Sequence, residues 1–270
     1  MKGDPSAPIG IFDSGLGGLT VARAIFDRLP ADSTLYVGDT ARVPYGPKSP
    51  ATVHRYSREI LHWLLSQGVK AVVVACNTST AHALDELRRE SPVPVVGVIE
   101  PGARAAVHAA PAGPVGVIGT AGTVASGAYQ RAIHRLDPGI GVVAQACPLF
   151  VPLVEEGWFD HPAAELIAAE YLAPLKRQGI RALVLGCTHY PLLKPLLARV
   201  LGADVALIDS AQEVAEALAG ELAAHGLVAP LESLGTHRFA VTDDPDRFRT
   251  VGARFLGDRL GQAELITLEG

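Results

Sequence analysis

A chain of 270 residues, rich in aliphatic side chains and poor in aromatics, fits a compact enzyme core of two ordinary domains, not a disordered or fibrous protein. Its net charge of −5, without any Lys/Arg run, argues against nucleic acid as a partner. Three cysteines form neither a disulfide framework nor a Cys-x-x-Cys metal pair, and no signal peptide or ~20-residue apolar span is found, so a cytoplasmic protein with no metal and no membrane association is expected.

Short β-rich runs alternate with helical spacing along the whole chain. Ile9–Phe12 reads as a strand that ends in Asp13-Ser14-Gly15-Leu16-Gly17-Gly18, ahead of a helix over Leu19–Arg28. This glycine loop lacks both the Gly-x-Gly-x-x-Gly spacing and the Gly-Lys-Ser/Thr ending of nucleotide sites. Its N–H groups and Ser14 suit a carboxylate. Asp13 suits an ammonium group, a base near Cys76, or a simple helix cap. Thr34–Val37 is the next strand, and the polar loop after it offers Tyr45 and Gly46 as ligand contacts. A helix over Ala51–Gln67 leads to the strand Ala71–Ala75, which delivers Cys76, Asn77 and Thr78 to a loop before a helix at Thr80–Arg89.

Val95–Val98 is a strand, and Glu100-Pro101-Gly102 opens a helix over Gly102–Ala109. Val115–Ile118 then runs into a hydroxyl- and glycine-rich turn containing Thr120 and Thr123. After the strand Gly141–Ala146, Cys147 lacks polar company and reads as structural, while Glu155-Glu156 reads as a solvated helix end. A helix over Ala163–Gln178 precedes the strand Ala182–Leu185, which delivers Cys187, Thr188 and His189. The remaining elements are a helix over Leu192–Leu201, a strand at Val205–Ile208, a helix over Ala211–His225, a strand at Phe239–Thr242 and a helix over Asp246–Leu256.

Two of these stretches repeat one pattern. Gly10 lies 66 positions before Cys76, and Gly116 lies 71 before Cys187, with a glycine-rich loop and a cysteine loop in each copy. The expectation is an α/β protein of two pseudosymmetric domains with mostly parallel sheets and the active site between them. Residues 1–98 plus 208–270 would form the first domain and 99–207 the second. In such sheets ligands sit outside the carboxyl ends of the strands, which is where Asp13, Cys76, Thr120 and Cys187 fall. Either cysteine alone could be a buried small hydrophobe. A pair at equivalent strand ends, each followed by hydrogen-bonding residues, points instead to two facing thiols. His189 is then a proton partner of Cys187 or a ligand contact.

The segments Phe12-Asp13-Ser14-Gly15-Leu16-Gly17-Gly18, Pro44-Tyr45-Gly46, Ala75-Cys76-Asn77-Thr78 and Gly186-Cys187-Thr188-His189-Tyr190-Pro191 resemble those of glutamate racemases, of the aspartate/glutamate racemase superfamily. The resemblance runs from Ile9 to about Leu256. It implies an isomerase with no cofactor that interconverts L- and D-glutamate, with Cys187 deprotonating the L-enantiomer and Cys76 the D-enantiomer. It further implies that Asp13 and His189 assist the thiols. Ser14, Tyr45, Gly46, Asn77, Thr78 and Thr188 would hold the substrate, with Thr120 and Thr123 at its carboxylates. A glutamate on the site wall is expected, Glu156 in preference to Glu155. A homodimer supplying D-glutamate to peptidoglycan synthesis is implied as well. An aspartate racemase and a non-catalytic amino-acid-binding protein are the alternatives. The chemistry is coherent: a thiol titrating near ~8.5 serves as acid or base at neutral pH, and racemisation needs one such group on each face of the α-carbon.

Overall fold

A computed structural model describes residues 3–110, 113–230 and 232–268, so the expected domain limits at residues 1 and 270 lie outside the described residues. The first part of the chain runs β1 (Ile9–Asp13), α1 (Leu19–Arg28), β2 (Thr34–Gly38), α2 (Pro50–Ser66), β3 (Ala71–Val74), α3 (Asn77–Glu90), β4 (Val95–Gly97) and α4 (Ile99–Ala109). The middle runs β5 (Val115–Gly119), α5 (Ala121–Ala125), α6 (Ala128–Leu136), β6 (Val142–Ala146), α7 (Phe150–Glu155), α8 (Pro162–Arg177), β7 (Ala182–Gly186), a 3-10 turn at Tyr190–Leu193, α9 (Lys194–Leu201) and β8 (Ala206–Ile208). The last part adds α10 (Ala211–Ala224), β9 (His237–Val241), α11 (Pro245–Leu256) and β10 (Ala263–Leu265).

The strands build two sheets, ordered β10-β9-β2-β1-β3-β4 and β6-β5-β7-β8, and every adjacent pair is parallel. Reading β2-β1-β3-β4 against β6-β5-β7-β8 gives the same winding twice. The repeat seen in the sequence is therefore a repeat of topology, with β9 and β10 added at the edge of the first sheet. The central strands β1, β3, β5 and β7 are buried at every residue. Parallel strands covered on both faces demand this continuous apolar content.

The helices that follow β4 and β8 change sides. α4 packs on α6 and β7 of the second sheet, and α10 packs on α1 beside the first. Ala103 and Ala106 of α4, with Val214 and Leu218 of α10, join one core that includes Ile11 and Val73 as well as Val117 and Val184. The opposite face of the first sheet, Phe12, Leu35 and Val72, packs on Ile60 and Leu64 of α2 and on Leu84 and Leu87 of α3. Exchanging two helices sews the sheets together, and loops at their carboxyl ends touch, Thr188 meeting Asp13 and Thr78 meeting Thr120.

Several boundaries differ from expectation. α3 begins at Asn77, not Thr80, because Cys76 itself is the N-cap. α4 begins at Ile99, not Gly102; Pro101 falls in its first turn, where no intrahelical N–H bond is lost. The short α5, α6, α7 and β10 were not expected from periodicity.

Candidate active site

The strand ends deliver the polar residues in a repeated way. β3 ends and Cys76 caps α3, its Sγ accepting the Ser79 N–H at 3.5 Å. β5 ends and Thr120 caps α5, its Oγ1 accepting the Thr123 N–H at 3.3 Å. A capping side chain satisfies an otherwise orphaned helical donor. Both groups are thereby pinned at the positive end of a helix.

Around Cys76, the thiol lies 3.8 Å from Ser14 Oγ and packs with Tyr45 and Val53. Tyr45 donates its hydroxyl hydrogen to Asp39, which also receives Arg42 Nε at 2.7 Å and Thr242 Oγ1 at 2.9 Å. Asp39 is fully buried at the carboxyl end of β2 and ties the Tyr45 loop down from three directions. Burial first, and the neighbouring Asp13 second, push the Cys76 thiol up to about 11. The field of the α3 N-terminus opposes this, but such a field is worth only about 0.3–1 kcal/mol, and burial wins. Cys76 is therefore held as a thiol at neutral pH.

Cys187 follows β7, with its Sγ 3.9 Å from His189 Nδ1. The other ring nitrogen, Nε2, is 3.2 Å from Glu155 Oε1. Burial works against a charged His189, but the Cys187 sulfur, Glu155 and Asp13 outweigh it and hold the imidazole up at about 10. Burial raises Glu155, yet His189 and Arg247 more than compensate and keep its carboxyl below the usual range. Glu156, the expected wall residue, is exposed, whereas Glu155, the last residue of α7, reaches His189. One residue is about 100° of helical rotation, which turns one carboxylate inward and the next outward.

The two halves meet through these loops. Thr188 Oγ1 donates to Asp13 Oδ1 at 3.4 Å, and Thr20 Oγ1 donates to the Thr188 carbonyl at 3.2 Å. Asp13 is fully buried, and burial raises its carboxyl pKa while His189 and the Gly15 N–H pull the other way. On the opposite side, Thr78 Oγ1 is 2.9 Å from Thr120 Oγ1 and 3.2 Å from Thr123 Oγ1, forming a hydroxyl cluster across the halves. The Gly122 N–H donates to the Gly46 carbonyl at 2.9 Å, and a Cβ on Gly46 would sit 2.7 Å from Thr120 Cβ. Asn77 Oδ1 accepts from Tyr129 of α6 at 2.7 Å. Cys147 is buried with its Sγ 3.7 Å from the Gln145 carbonyl.

The geometry thus gathers Asp13, Ser14, Tyr45, Gly46, Cys76, Asn77, Thr78, Thr120, Thr123, Cys187, Thr188 and His189 into connected loops at the strand ends, and leaves Glu156 outside. Asp39 and Tyr129 were missed as partners. Asp39 carried a signal, since it ends a strand as Asp13 does; Tyr129 carried none. Among the described residues no three His, Cys, Asp or Glu side chains cluster in a way that could hold a metal ion, and no helix is long and apolar enough to cross a membrane.

Fold and loops together define a class: a duplicated, parallel α/β protein that presents one thiol from each half. Residues 16–218 match the family described as Asp/Glu/Hydantoin racemase. A glutamate racemase of Geobacter metallireducens is 52% identical over 265 residues, covering 98% of each chain. The crystal structure of the Thermus thermophilus glutamate racemase in complex with β-chloro-D-alanine is 50% identical, with a TM-score of 0.89 and 98% of each chain covered. That of the Francisella tularensis glutamate racemase in complex with D-glutamate is 39% identical, with a TM-score of 0.92 over 98% of this chain and 99% of that one. The chain belongs to the glutamate racemases of this family and is an isomerase.

Proposed function

We propose that this protein interconverts L- and D-glutamate by proton transfer at the α-carbon between two thiols, without a cofactor. One observation carries the reading: Cys76 and Cys187 follow equivalent strands of the two halves, in a chain half identical to glutamate racemases. In the L-to-D direction Cys187 is the base and Cys76 the acid. The thiol state of Cys76 suits that assignment, and the His189 imidazole, held protonated, lies 3.9 Å from the Cys187 sulfur. On reversal the roles exchange. An α-ammonium group close to Asp13 and Cys76 lowers the cost of the Cys76 thiolate, since an opposite charge favours the ionised form.

Asp13 and His189 assist the thiols, and Glu155 holds His189. The hydroxyls of Ser14, Thr78, Thr120, Thr123 and Thr188, the Tyr45-Gly46 loop and the Asn77 amide hold the substrate. The reading divides the chain into residues 1–98 plus 208–270 and residues 99–207, with the site between them. It includes a homodimer in the cytoplasm that supplies D-glutamate for peptidoglycan and so for the cell wall. The test is an assay of purified protein on L-glutamate and L-aspartate with nothing added. Faster turnover of glutamate is expected; faster turnover of aspartate, or none of either, overturns the reading.

A further inference from the structure

The hydrogen bond between Tyr129 and Asn77 joins the two halves beside one of the thiols. Tyr129 sits on α6 of the second half and is 1% exposed. Its ring fits where two glycines leave room: a Cβ on Gly186 would lie 3.0 Å from the ring, and one on Gly102 would lie 3.3 Å from the hydroxyl. Asn77 is the first residue of α3, next to Cys76, and is 4% exposed. The 2.7 Å contact runs from Tyr129 Oη to Asn77 Oδ1.

An asparagine amide has an acceptor end and a donor end of nearly the same shape, and only its partners decide which way it turns. Burial pushes the Tyr129 pKa up, so the phenol stays neutral and keeps its single proton to donate. That proton selects the amide oxygen. The planar amide then turns its NH2 group away from Tyr129, and Asn77 Nδ2 donates to no protein atom among the described residues. A free NH2 group on the residue that follows Cys76 complements a carboxylate and mismatches an ammonium group. We infer that Tyr129 is a positioning residue that fixes Asn77 as a hydrogen-bond donor to a carboxylate of the substrate. This deepens the proposed function and rests on it.

The experiment is a kinetic double-mutant cycle on glutamate, with melting temperatures measured for every variant. Tyr129→Phe keeps the ring and removes only the hydroxyl that orients Asn77. It is expected to raise KM roughly five- to tenfold with kcat within about twofold, as when binding common to ground and transition states is lost. In an Asn77→Ala background the same change is expected to add no further loss, because the group it orients is gone. An unchanged KM in Tyr129→Phe overturns the inference, and so does an equal loss in both backgrounds. Asn77→Asp gives an arm that does not depend on the phenylalanine variant folding. It retains an acceptor for Tyr129 but replaces the donor with a carboxylate, and KM is expected to rise above that of Asn77→Ala; a wild-type KM overturns the inference. A wild-type protein that does not racemise glutamate would instead defeat the proposed function itself, which keeps the two failures apart.

Discussion

At the scale of single residues, the site is decided by which side of a short helix a carboxylate leaves. Glu155 and Glu156 are chemically identical and adjacent, and only the phase of α7 assigns one to His189. Glu155→Gln keeps the shape and removes the charge that helps hold His189 protonated. It is expected to lower kcat roughly ten- to a hundredfold, within the range of an acid–base contribution. The alkaline limb of the pH profile is expected to move down as well, because loss of a neighbouring anion lowers an imidazole pKa. Glu156→Gln is expected to stay within about twofold of wild type. Steady-state kinetics of both variants across pH checks this, and equal effects would contradict the placement. Cys76, Cys187 and His189 were legible because each ends an apolar run in a polar loop. The choice between the glutamates was not, since α7 is six residues long, carries Pro152 and shows too few turns for a period to emerge.

At the scale of elements, close approach of loops does what no single side chain could. A Cβ on Gly17 would lie 2.2 Å from Thr188 Oγ1 and 2.4 Å from His189 Nδ1. Glycine is required there for contact between the β1 loop of one half and the Cys187 loop of the other. Gly17→Ala is expected to cost about 1–3 kcal/mol of stability, the usual penalty of overpacking, and to lower kcat/KM further by displacing His189. Gly220, inside α10, is the control: a Cβ there meets nothing within 4 Å. Gly220→Ala is expected to be neutral or to stabilise by about 0.4–1 kcal/mol. Thermal melts with kinetics distinguish the two. The long strands and helices were readable in the sequence because continuous apolar runs and 3.6-residue spacing are dictated by burial. α5 spans five residues, and β10 is largely exposed at a sheet edge, so neither leaves such a pattern.

At the scale of the whole molecule, the duplicated winding puts two chemically unequal thiols, Cys76 and Cys187, after equivalent strands, while α4 and α10 cross between the sheets. The pairing of two halves was visible from the repeated spacing, but the helix exchange was not, because it depends on contacts between distant segments. Inequality has a consequence for pH. Racemisation has an equilibrium constant of one, so kcat/KM must vary with pH identically for both enantiomers. In the proposed mechanism the active enzyme carries one thiolate and one thiol, and it loses its acid when the second proton leaves. The alkaline limb is therefore expected between about 10 and about 11, where His189 and Cys76 titrate, and at the same position for L- and D-glutamate. Stability follows the same sign. Both groups have folded-state values raised above their ordinary 6.5 and 9.0, so their contribution is complete below those values. It is lost as pH rises through about 10 for His189 and about 11 for Cys76. Melting temperatures measured from pH 7 to 11 are expected to fall across that window.

In the proposed mechanism two thiols on opposite sides of one carbon act as an acid–base pair. The decisive measurement runs the reaction in deuterium oxide and analyses substrate and product by mass spectrometry at low conversion. Starting from either enantiomer, product is expected to carry one solvent deuterium at the α-carbon while the remaining substrate keeps its protium. Cys76→Ala and Cys187→Ala are each expected to abolish product formation. Product that retains the substrate's own α-proton, or full activity in either alanine variant, would contradict that mechanism.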